Sequence, residues 1–166
     1  MPSQQTKPAL VVGMDTASNR FHCVASNGMC GQCGPLEGKD WKSTDDRRHK
    51  LYKDAQTFFA FLPNGSHIFC EEPISAGKSG KTTVQLGLAA GAIWAAHLEF
   101  DLFWYWVSIS AWKSAVVGNG NASKEQIQEF LRKGGFEYTE QDSYDAHCIR
   151  RYGEIELEAQ GIAILN

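Results

Sequence analysis

Apolar and polar positions change period several times along the chain. Leu10-Val11-Val12-Gly13-Met14 is an apolar run without alternation, as in a strand buried on both faces, and it ends at Asp15. Phe21–Ser26 predicts a second strand, and Asn27-Gly28 supplies a tight turn that would make the first two strands antiparallel neighbours. A third strand is expected somewhere within Met29–Leu36. Asp45–Leu62 places Leu51, Ala55, Phe58, Phe59 and Leu62 at helical spacing, with Asp45 and Asp46 suited to the first turn. His67–Cys70 is another short apolar run, followed by Glu71-Glu72 and stopped by Pro73. Thr82–Phe100 predicts a helix rich in glycine and alanine, and Leu102–Val107 an aromatic-rich strand. Ser123-Lys124-Glu125-Gln126 fits a capping box ahead of Ile127, Phe130 and Leu131, and Gly134-Gly135 closes that helix. A last helix should begin near Asp142, with Cys148, Ile149 and Tyr152 on its apolar stripe. The order β-β-β-α-β-α-β-α-α suits an α/β protein with a mixed five-stranded sheet and helices on both faces.

Four acids break this pattern. Asp15 and Glu71 stand at the tips of apolar strands, where a charge is costly unless it is solvated, paired or bound to a metal. Asp142 and Asp145 fall on the face of the last helix that should be buried. Taken singly, each has an ordinary reading as a turn, strand-end or helix-start residue. Together they would repel one another and gain protons without cations nearby. Oxygen ligands of this kind suit Mg²⁺ or Mn²⁺, and two such ions support phosphodiester cleavage.

Composition bounds the reading without deciding it. At 166 residues the chain is most simply one domain, residues 9–166, behind a polar tail at residues 1–8. The formal charge of −3 weighs against nucleic-acid binding. Setting the four clustered acids aside leaves 15 acids against 16 bases, and the objection lapses. The longest apolar candidate, Leu86–Ala96, is too short to span a membrane, and five cysteines without a leader suggest reduced thiols in a cytoplasm.

The motifs occur in a familiar order. Gly13-Met14-Asp15, Phe69-Cys70-Glu71, Val116-Val117-Gly118 leading to Ala122-Ser123-Lys124-Glu125-Gln126, and Asp142-Ser143-Tyr144-Asp145-Ala146 resemble the ordered motifs of the RuvC-type Holliday junction resolvases. The resemblance runs from about Leu10 to Tyr152, while the sequence between the motifs is diverged. It implies a ribonuclease H-like fold and a homodimer that nicks four-way DNA junctions symmetrically with Mg²⁺, two ions per active site. Asp15, Glu71, Asp142 and Asp145 would then be catalytic metal ligands, with Glu72 an alternative to Glu71. Lys113 and Lys124 match family lysines near the DNA backbone; their other reading is as solvated surface charges. Thr16-Ala17 replaces the family's Pro-Gly, and Ile74 replaces an aromatic residue that contacts bases at the junction. These departures suit a phage relative acting in a bacterial cytoplasm. The alternatives are a broader branched-DNA or flap nuclease, and a binding module whose acids are structural.

Other signals carry less. Gly77-Lys78-Ser79-Gly80-Lys81-Thr82 imitates a phosphate-binding loop, but Ser75 stands where that motif needs glycine, which argues against ATP. Lys78 and Lys81 are expected to touch the DNA backbone or to be plain loop charges. Cys30-Gly31-Gln32-Cys33 has no second CxxC to complete a zinc site and is expected to hold reduced thiols in a hairpin. The helix over Thr82–Phe100 is the expected dimer seam, through its Gly87, Ala90 and Gly91 side.

Overall fold

The computed structural model describes residues 8–33, 44–73 and 80–165. Five strands form one sheet in the order β3-β2-β1-β4-β5. β1 (Val11–Ala17) lies at its centre, antiparallel to β2 (Arg20–Ala25) and parallel to β4 (Ser66–Glu71). β3 (Cys30–Cys33) pairs antiparallel with β2, and β5 (Leu102–Val107) pairs parallel with β4. The parallel neighbours follow helical crossovers, as parallel pairing requires.

Strand alternation assigns the two faces. Val12 and Met14 of β1, Phe21 and Cys23 of β2, and Ile68 and Cys70 of β4 pack in one core with α1 (Thr44–Phe59) and α2 (Gly80–His97). Val11, Phe69 and Val107 join the opposite core with Trp112, Ile127, Leu131, Tyr144, Cys148 and Ile149. That second layer holds α3 (Ile109–Trp112), α4 (Lys124–Lys133) and α5 (Gln141–Ala159). The architecture is the mixed five-stranded sheet, covered on both faces, that the periodicity predicts.

The main departure lies between β5 and α4. A short helix not foreseen from the sequence runs through α3 into a π-helical turn over Lys113–Val117, ending at Gly118 with φ 81°. Ser114, Ala115, Val116 and Val117 carry no periodic apolar stripe, so the pattern is silent there. The other helices differ from expectation mainly at their ends: α1 stops at Phe59 rather than Leu62, α2 spans Gly80–His97 rather than Thr82–Phe100, and α5 continues to Ala159. The capping box at Ser123 is present in full: Ser123 Oγ accepts from the Gln126 amide, and Gln126 Oε1 accepts from the Ser123 amide.

Candidate active site

Asp15 follows Val11 and Gly13 on the α5 face of β1, and Glu71 follows His67 and Phe69 on the same face of β4. α5 crosses directly over this region. A Cβ on Gly13 would fall 2.1 Å from both the Ala146 carbonyl oxygen and the Arg150 amide nitrogen, so glycine lets helix and strand backbones meet. That contact sets the start of α5, with Asp142 in its first turn and Asp145 in the next, beside the tips of β1 and β4. The helix dipole favours acids in such a first turn.

All four predicted acids line one cleft of about 270 Å³, with Thr16, Glu72, Pro73, Leu86, Trp112, Lys113 and Lys124. The Asp15 carboxyl is pushed well above its ordinary range, first by burial and then by Glu71, Asp145 and Asp142; Lys124 opposes the shift. Asp145 is also raised, first by burial, with Gln141, Lys124 and Lys113 opposing. The charge that reaches Asp15 from β4 is that of Glu71.

Each remaining acid has a protein partner. Trp112, buried at the end of α3, donates its indole N–H to Glu71 Oε2 at 2.9 Å. Gln141 donates to Asp145 Oδ1 at 3.2 Å and accepts from Gln128 of α4 at 2.6 Å. Arg20 Nε of β2 lies 2.9 Å from Asp142 Oδ2. Lys113 lies over the Trp112 ring and donates to the Ala122 carbonyl at 2.8 Å, tying the π turn to the loop before α4. Lys124 opens α4.

The donors fit a hard divalent cation in kind: carboxylate oxygens from three elements share one cleft, and the neighbouring acids push the Asp15 carboxyl up. Their positions are a different matter. Among the described residues, no three His, Cys, Asp or Glu side chains converge closely enough to hold an ion as they stand. Asp142, Asp145 and Glu71 would have to turn from Arg20, Gln141 and Trp112 to do so.

Other predicted residues lie elsewhere. Lys81 is exposed in the first turn of α2 and does not line the cleft. Lys78, Ile74 and most of the loop resembling a phosphate-binding motif lie outside the described residues, as does the expected tail before Pro8. Cys30 and Cys33 are free thiols in β3, and Cys33 donates to Asp54 Oδ2 at 2.6 Å. No described helix is long and apolar enough to cross a membrane. The sequence reading missed Arg20, Trp112 and Gln141 as neighbours of the acids. The alternation of Arg20 and His22 with Phe21 and Cys23 could have placed the two basic residues on the Asp15 face.

No family model matches the chain. The crossover junction endodeoxyribonuclease RuvC of Natranaerobius thermophilus is 29% identical over 116 residues, which are 68% of this chain and 69% of that protein. The Thermus thermophilus RuvC structure superposes with a TM-score of 0.66 at 19% identity, covering 93% of this chain and 98% of the other. The same organism's RuvC in complex with a Holliday junction substrate superposes with a TM-score of 0.70 at 18% identity, covering 95% and 99%. The chain is thus similar in sequence and in its ordered motifs to a RuvC resolvase, and it shares the ribonuclease H-like fold of the RuvC structures.

Proposed function

We propose that the chain is a divalent-metal-dependent endodeoxyribonuclease that resolves four-way DNA junctions as a homodimer. One observation carries the reading: acids from β1, β4 and α5 line a single cleft whose other wall bears Lys113 and Lys124. The RuvC relatives named above are consistent with it, and one was captured on a Holliday junction.

In this reading Asp15, Glu71, Asp142 and Asp145 hold Mg²⁺ or Mn²⁺, two ions per site. The cations would supply water activation and charge stabilisation for phosphodiester hydrolysis. The protein's own groups do the rest. Lys113 and Lys124 hold backbone phosphates against the acidic floor, where their charges already temper Asp145. Trp112 and Gln141 hold Glu71 and Asp145 at the cleft wall, and a bound cation would draw both acids away from them.

Two symmetric nicks need two sites, and α2 offers the seam. Val84, Leu88 and Trp94 are exposed on it and Leu98 just past its end, and a Cβ on Gly87 or Gly91 would meet open space. The expected seam needs one correction: Ala90, at 1% exposure, is already buried within the monomer and is not free to meet a second copy.

Incubation of labelled four-way junction, flap and linear duplex, with and without Mg²⁺, tests the whole reading. The expected result is Mg²⁺-dependent paired nicking of the junction, abolished by Asp145→Asn with junction binding retained. Cleavage confined to flaps would favour the broader nuclease, and binding without cleavage the non-catalytic module. Nicking by the Asp145→Asn variant at the wild-type rate would remove Asp145 from the site.

A further inference from the structure

Two basic side chains of β2 face the acid that opens α5. Arg20 and His22 alternate with buried Phe21 and Cys23, so they project to the face that carries Asp15. His22 stands opposite Asp15 in the β1–β2 register, and Arg20 opposite Ala17. From there Arg20 Nε comes within 2.9 Å of Asp142 Oδ2, and His22 Nε2 within 3.8 Å of the same oxygen. His22 Nδ1 lies 3.2 Å from Ser143 Oγ. Of these two groups the guanidinium is the one that carries a fixed positive charge.

The pairing is close but poorly aligned. Arg20 Nε is shut off from water and makes no well-directed hydrogen bond, so charge more than geometry holds it to the carboxylate. The Asp142 side chain is only 17% exposed, which weakens screening of the pair. The Arg20 side chain is 32% exposed at the end of the β1–β2 hairpin, which leaves the guanidinium solvent to move into.

We propose that Arg20 is the resident counter-cation of Asp142, a charge that a divalent cation must displace before this acid can ligate it. The inference rests on the metal-site reading above and adds a competitor built into the protein. It also accounts for an acid that lines the cleft yet is turned toward β2. Removing the guanidinium leaves a half-buried carboxylate uncompensated, and such a group takes up a replacement cation more readily.

Calorimetric titration of Mg²⁺ into the purified protein tests this, with the Mg²⁺-dependent rise in unfolding temperature as a second readout. R20Q should lower the Mg²⁺ midpoint by roughly three- to tenfold, in the lower part of the range for coupling between contacting groups. R20K, which keeps the charge, should stay near wild type. The decisive arm is D142N: in that background R20Q should leave the midpoint unchanged. An R20Q midpoint equal to or above wild type overturns the proposal, as does an equal lowering in the D142N background. If wild type binds Mg²⁺ through Asp142 but R20Q changes nothing, only the counter-cation fails. If wild type binds no Mg²⁺, the metal site and the counter-cation fall together.

Discussion

Gly13 shows how much one residue can decide. It occupies the point where the backbone of α5 rests on the central strand, two positions before Asp15. An added methyl group would overlap main-chain atoms of Ala146 and Arg150, which cannot rotate aside. Gly13→Ala should therefore lift α5 from β1 and cost about 2–4 kcal/mol of stability, in line with severe core overpacking. Any protein that still folds should lose cleft function disproportionately, because Asp142 and Asp145 move away from Asp15 and Glu71. Equilibrium denaturation checks the first effect and Mg²⁺ titration the second; full stability in Gly13→Ala would contradict the contact. Glycine in a strand signals close approach in general, yet what approaches Gly13 lies more than 130 residues away and no local pattern names it. Arg20 was obscure for a similar reason. Its charge becomes meaningful only once the strand register and the crossing of α5 bring Asp142 to it.

Among the elements, α5 was the most legible and is the most heavily used. Two acids on its apolar stripe marked it as abnormal, and both line the cleft. β1, β4 and β5 were legible as well, because short apolar runs have few other uses. The turn over Lys113–Val117 was not, since its geometry follows from tertiary contacts such as the Lys113–Ala122 bond. The middle of α5 also holds a buried network that the stripe concealed. Arg150 can only donate, so its 2.9 Å approach to His147 Nε2 makes that nitrogen an acceptor and leaves Nδ1–H to bond Tyr138 Oη at 2.6 Å. The imidazole is thereby held neutral, and burial followed by the charges of Arg150 and Arg151 lowers its pKa from 6.5 to about 4. The unfolded chain then binds more protons than the folded one between those values. Stability gained from neutral His147 is complete above about pH 6.5 and is lost as pH falls toward 4. At about 1.4 kcal/mol per pKa unit, the loss is of the order of 2–3 kcal/mol. Urea unfolding at pH 7 and pH 4.5 should show it, and His147→Gln should flatten that part of the profile. An identical acid loss in His147→Gln would place its origin elsewhere.

At the scale of the whole molecule, one face of α2 and the neighbouring edge strand remain open. Leu98 and Trp106 are exposed there along with the Gly87 and Gly91 stripe. In the dimeric reading Gly91→Arg splits the dimer, because the open space at Gly91 would be filled by the second copy, while the monomer stays folded. Sedimentation should then report a monomer, and junctions should be nicked once rather than resolved. A wild-type protein that sediments as a monomer, alone and on DNA, yet cuts both strands in concert would sink the dimer. The acids of the cleft also have an order of manufacture. Asp15 and Glu71 leave the ribosome before α5, whereas Asp142 and Asp145 lie on α5 itself and need β1 already in place beneath them. A half-made or prematurely terminated chain ending before α5 carries only two of the four acids. The topology thus keeps the four acids from meeting in one cleft until α5 has been made and laid on β1.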